Sequence, residues 1–135
     1  MAQPLNVFTV AGRAMSAQLV RLNTTASNLA NAGSVSTTEA DAYKPLKPVF
    51  RTSLDSATGL SSVTVEKIIT SDASPTRRHD PNNPMADANG DVFVSSVDET
   101  SELVEMMETA RHYQNNVEVM QTAKSLVLDT LKLGR

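Results

Sequence analysis

A pair of heptad-spaced apolar stripes, one at each end of the chain, limits this sequence more than any other feature. Near the N-terminus Phe8, Gly12, Met15, Leu19, Leu22, Ala26 and Leu29 recur at alternating steps of three and four, with Asn, Gln, Thr and Arg between them. That spacing puts one apolar residue per turn on a single helical face, the pattern of a seam that meets another helix. Near the C-terminus Leu103, Met106, Ala110, Tyr113, Val117, Met120, Val127 and Leu131 keep the register, and Lys124 takes one stripe position as a register-setting or snorkelling polar residue. Pro4 suits a helix start, and Asn31-Ala32-Gly33 a glycine-terminated end. Ser96-Val97-Asp98-Glu99 reads as a capping box, with Asp98, Glu99 and Glu102 at the positive end of the helix dipole. At 1.5 Å rise per residue the two helices run to about 35–40 Å and about 50 Å.

The expected fold is therefore mainly α with a small β region. Residues 1–33 form the N-terminal helix, and 98–135 form the C-terminal helix of one coiled-coil-like domain. Residues 34–97 form an irregular or β-hairpin insertion. Within it Val63-Thr64-Val65-Glu66 and Val92-Phe93-Val94-Ser95 alternate as strands do, and Asn89-Gly90 between them favours a tight hairpin turn. Pro45, Pro48, Pro75, Pro81 and Pro84 keep the rest irregular or at sheet edges.

Such rods need cover. Burying one Leu, Met, Val or Phe contributes roughly 1.5–3 kcal/mol, so an uncovered stripe forgoes on the order of 10 kcal/mol. With no Trp, three Phe and two Tyr, the middle of the chain is too slim to supply that cover. The helices must pack on each other, on copies of the chain, or on sister subunits. Charge favours pairing between the ends: Arg13 and Arg21 stand without an acid in the first 38 residues, whereas Asp98, Glu99, Glu102, Glu105, Glu108, Glu118 and Asp129 make the C-terminal segment acidic. Phe8, Met15, Leu19, Leu22, Leu29, Leu103, Met106, Ala110, Tyr113, Val117, Met120, Lys124, Val127 and Leu131 are the expected assembly interface, with the Asn28 and Asn31 amides hydrogen-bonding across a subunit contact. Helices ordered only on assembly, with frayed termini in the free monomer, would keep the chain from polymerising early.

Chemistry finds little footing. There is no Cys for a nucleophile or a disulfide. His79-Asp80 sits in a proline-bounded surface turn where sequence neighbours point apart, and His112 lies on the C-terminal helix without metal-ligand spacing. Asp87-Ala88-Asn89-Gly90-Asp91 lacks the glycine position and distal Glu of a calcium loop. A net charge of -3 excludes a broad nucleic-acid footprint. No secretory leader and no membrane span is legible. The expectation is a non-enzyme with no cofactor, no metal, no nucleic acid and no direct membrane insertion.

Ala26-Ser27-Asn28-Leu29-Ala30-Asn31-Ala32-Gly33-Ser34 resembles the N-terminal signature of the flagellar rod and hook axial protein family, and Ala42-Tyr43-Lys44 its aromatic-basic pair. The stretch from Asp80-Pro81 through Asp91-Val92 resembles the family's proximal-rod members. Glu105 to Val119 is similar to their C-terminal "EM…AxRxYQxNVEV" helix, while Ser95-Ser96-Val97-Asp98 departs from their Pro-Asn-Val-Asn. The resemblance implies a structural subunit of the rod that crosses the periplasm and transmits torque. It also implies partners among copies of the chain and other rod subunits, and passage through the flagellar type III export apparatus without a cleaved signal. The alternative is a soluble helical binding module or export chaperone.

Overall fold

The computed structural model describes residues 4–134. Two antiparallel helices, α1 (Pro4–Ala30) and α2 (Glu99–Leu133), enclose a β region made of β1 (Val35–Ser36), β2 (Leu46–Asp55), β3 (Leu60–Thr70), β4 (Thr76–His79) and β5 (Asp91–Val94). The mainly helical architecture matches the heptad reading, and Pro4 stands first in α1, where its missing N–H costs nothing.

The helix ends differ from expectation. Gly33 does not close α1, since its φ is not positive. Instead the Asn31 N–H is shared between the Ser27 and Asn28 carbonyls at 3.2 and 3.1 Å, and the Asn31 side chain donates to Ser27 O at 2.8 Å. At the other boundary Asp98, not Ser96, caps α2: its carboxylate accepts from Thr100 N at 3.2 Å and from the Ser101 hydroxyl at 2.6 Å. The Ser96 hydroxyl is buried without a partner.

The β region is larger than its proline content suggests. β2 and β3 form a long antiparallel hairpin, from Leu46↔Thr70 to Asp55↔Leu60, with a register shift between Val49 and Phe50. Pro48 sits inside β2 beside that shift. A two-stranded sheet has a free edge on every strand, which is where proline is tolerated. Val63-Thr64-Val65 therefore belongs to this hairpin and does not pair with Val92-Phe93-Val94. The latter lies in a second sheet of order β1-β5-β4, with Val35↔Val94 and His79↔Asp91 in register. Asn89-Gly90 does turn the chain, but between β4 and β5, with Gly90 at φ 78. Thr76–His79, expected as loop, is the edge strand β4.

The hairpin lies along α1. The Arg13 guanidinium donates to the Ser62 hydroxyl at 2.8 Å near the hairpin tip, and Asn28 holds Leu46 at the other end. α1 also packs on α2, and Arg21 forms an ion pair with Glu105 across the two helices. The fully buried positions are small or polar: Ala11, Ala17, Thr24, Thr25 and Asn28 on α1, and Thr109 and Ala123 on α2. Small residues let the helices approach closely. They also remove little apolar area from water, so this seam by itself contributes modestly.

Candidate assembly surfaces

The large heptad residues are at most half-buried by that seam. On α1 Leu19 is 44% exposed, and Phe8, Met15, Leu22 and Leu29 are half-buried. A side chain added at Gly12 would meet nothing within 4 Å. On α2 Leu103, Lys124 and Leu131 are exposed, while Met106, Ala110, Tyr113, Val117, Met120 and Val127 are half-buried.

Helical geometry explains the split. Val7 shares a groove with Ala123 and Leu126, Ala11 lies beside Asn116, and Arg21 meets Glu105, so the antiparallel register is fixed. At about 100° per residue, the buried positions Thr109 and Ala123 lie one residue back from Ala110 and Lys124 in the heptad stripe. The stripe is thus rotated partly off the seam. On α1 the flank facing the hairpin carries Asn6 and Arg13, and the stripe lies on the far side from it. On α2 the flank beside the hairpin carries Ser101, Glu105 and Val119, and Leu103, Ala110, Val117 and Leu131 again face away. In an antiparallel pair, equal rotations in the same sense bring both stripes to one side. The result is a joint two-helix apolar face opposite the hairpin, which no other described element covers.

The two asparagines behave otherwise. Asn28 is 1% exposed. Its Nδ2 donates to Leu46 O at 2.9 Å, and its Oδ1 accepts from Leu46 N at 2.8 Å and from the Tyr43 hydroxyl at 2.9 Å. The amide expected to reach across a subunit contact is already spent in tying the last turns of α1 to the first residue of β2. The Asn31 amide closes its own helix end. Tyr43, noted only as part of a motif, proves to be a member of this clamp and also contacts the Ser27 hydroxyl at 3.1 Å.

Sequence reasoning missed a second set of exposed apolar residues: Val119, Leu126 and Leu133. They are seven apart, so the signal was present, but they lie off the stripe that holds the bulkier run. Val104 and Met107 are exposed as well.

Most of the polar candidates bond to one another or to the backbone. His79 Nδ1 lies 2.8 Å from Asp91 Oδ1, and Arg77 Nε donates to Asp91 Oδ2 at 2.6 Å. The His79 contact first, and the Arg77 contact second, hold the Asp91 carboxyl below its ordinary range. Asp80 faces away, toward Arg78 and Asn83. The Asp87 carboxylate accepts the backbone N–H groups of Asn89 and Asp91 at 2.8 and 3.0 Å, organising the turn. Among the described residues no helix is long and apolar enough to cross a membrane.

Comparison with known proteins finds relatives across nearly the whole chain. Residues 8–35 match the family model "Flagella basal body rod protein", and residues 92–133 match "Flagellar basal body rod FlgEFG protein C-terminal". The chain is 43% identical over 131 residues to the flagellar basal-body rod protein FlgC of Salmonella typhimurium, covering 97% of this chain and 98% of that one. It is 44% identical to FlgC of Yersinia enterocolitica over the same shares, and 34% identical to FlgC of Agrobacterium fabrum over 92% of this chain and 90% of the relative. With 43–44% identity to FlgC proteins across nearly the whole of both chains, the chain belongs to the FlgC family of flagellar basal-body rod proteins.

Proposed function

We propose that the chain is a non-catalytic structural subunit of the flagellar basal-body rod, built into the drive shaft by packing its joint helical face against neighbouring subunits. The observation that carries this reading is the apolar surface shared by α1 and α2, which the chain itself leaves only partly covered. Segments 1–33 and 98–135 act as an inner helical layer, and 34–97 lies outside it. Covering a half-exposed Leu or Met contributes about 1 kcal/mol or more, so several along each helix suffice to hold neighbours once in place. Torque passes through many such helices loaded in parallel, and the Asn28 clamp makes hairpin and helix turn together.

Partners are copies of the chain and other rod subunits. The flagellar type III export apparatus passes the chain, without a cleaved signal, to the rod crossing the periplasm. No cofactor takes part. A binding module or export chaperone would bury its apolar face in a closed pair and stay inside the cell.

Deleting the gene in its host and imaging basal bodies by electron microscopy tests the reading. Rings without rod or hook, restored by re-expression, are expected. Complete basal bodies in the deletion strain would contradict it.

A further inference from the structure

The joint face is not the only uncovered apolar surface. Val119, Leu126 and Leu133 recur at steps of seven on α2, with Leu126 61% exposed. They lie on the flank of α2 turned toward the hairpin side, and of the three only Val119 shares a pocket with the hairpin. Leu60 and Ser61, next to its tip, share a pocket with Val119. Beyond that point the flank and Val7 form an open groove with Glu118, Thr122 and Ala123. The helix pair therefore carries bare apolar surface on two opposite sides, and the two sides differ in shape and residues.

That difference constrains symmetry. A surface that meets itself closes into a two-fold dimer and growth stops, whereas a surface that meets an unlike one repeats the step and propagates. Charge selects between these outcomes. The stripe residues of α1 carry no charge, and those of α2 from Leu103 to Leu131 carry only Lys124. The groove is bordered by Glu118 and no base. Neither Lys124 nor Glu118 has an ion-pair partner among the described residues. Like-to-like contact would oppose identical charges, while unlike contact offers Lys124 of one copy an acid on the next.

Resting on the rod reading above, we infer that the groove at Val119 and Leu126 of one copy seats against the joint heptad face of the next copy, a heterologous contact that cannot close. Leu19→Asp spoils the joint face and Leu126→Asp spoils the groove. Both positions are exposed, so circular dichroism should show the fold retained. Sedimentation velocity is then run on wild type, on each variant, and on their equimolar mixture. Wild type is expected to form species beyond the dimer as concentration rises. Each variant alone should stay monomeric, and the mixture should stop at a dimer, because one intact groove meets one intact joint face. Dimers of Leu126→Asp alone would show that the joint face meets itself. A monomeric mixture, or a wild type monomeric throughout, would remove a second copy as the occupant. Any of these overturns the contact, while the deletion phenotype tests the rod reading separately.

Discussion

Asn28→Ala removes the side chain that joins the helical layer to the hairpin. The amide is 1% exposed and makes three hydrogen bonds, two to the backbone of Leu46 and one to Tyr43. Alanine leaves the Leu46 N–H and C=O without those partners, while Tyr43 keeps its contact with Ser27. An orphaned buried polar group costs about 1–3 kcal/mol, so the two Leu46 groups together predict a loss of about 2–6 kcal/mol. For a chain this size each kcal/mol moves Tm by about 3–5 °C, giving a drop on the order of 10 °C or more. Tyr43→Phe, which removes one of the three bonds, should cost about 1 kcal/mol. The double variant should lose less than the sum of the single losses, because the residues share a bond. The assay is urea and thermal unfolding followed by circular dichroism. A loss below about 0.5 kcal/mol for Asn28→Ala, or strict additivity with Tyr43→Phe, would refute the clamp.

Gly90→Ala should destabilise more than Gly59→Ala in parallel melts: both glycines have positive φ, but an added Cβ meets Pro81 Cβ at 3.0 Å at position 90 and open space at position 59. Equal losses, each about 1 kcal/mol of left-handed strain alone, would contradict the close approach. Asp98→Ala should cost about 1 kcal/mol as a lost N-cap, and Ser96→Ala should be neutral, because the Ser96 hydroxyl has no partner; the reverse order would restore Ser96 as the cap. The folded-state pKa of Asp91 lies below its ordinary value of 3.8, so the carboxylate stabilises the fold above that pH. That contribution fades as pH falls through the folded-state value. Asp91→Asn should flatten the acid limb of a stability-versus-pH curve, and an unchanged limb would show that the Arg77 and His79 contacts carry no stability.

The two helices were legible because their periodicity is a local property that each segment carries alone. Their rotation was not. Heptad reading follows the largest apolar residues, and it took Phe8, Leu19, Leu103 and Leu131 as assembly interface while leaving open whether the two helices, copies or sister subunits cover them. The chain instead brings its helices together on Ala11, Thr25, Thr109 and Ala123, which a hydrophobic pattern scores weakly. It leaves the bulky line half-buried or exposed at its edge. β2 was hidden by Pro48 and by the register shift beside it, which breaks the alternation a strand should show. Asn28 read as a helix-end or interface residue because the groups that occupy its amide, Tyr43 and Leu46, are brought to it only by the fold. The α2 start was displaced from Ser96 to Asp98 because both residues can cap, and only backbone geometry at Asp98 separates them.

Solvent access at position 19, in the free chain and in the rod, tests the central claim most directly. The sequence has no Cys, so Leu19→Cys introduces a single thiol at a site 44% exposed in the monomer. Maleimide labelling is compared in purified monomer and in isolated basal bodies, each referred to full labelling after denaturation. If neighbours cover the joint face, the thiol should react readily in monomer and at least tenfold more slowly in basal bodies. Equal labelling in both would mean that the face stays bare in the rod, and that the subunits are held by some other surface.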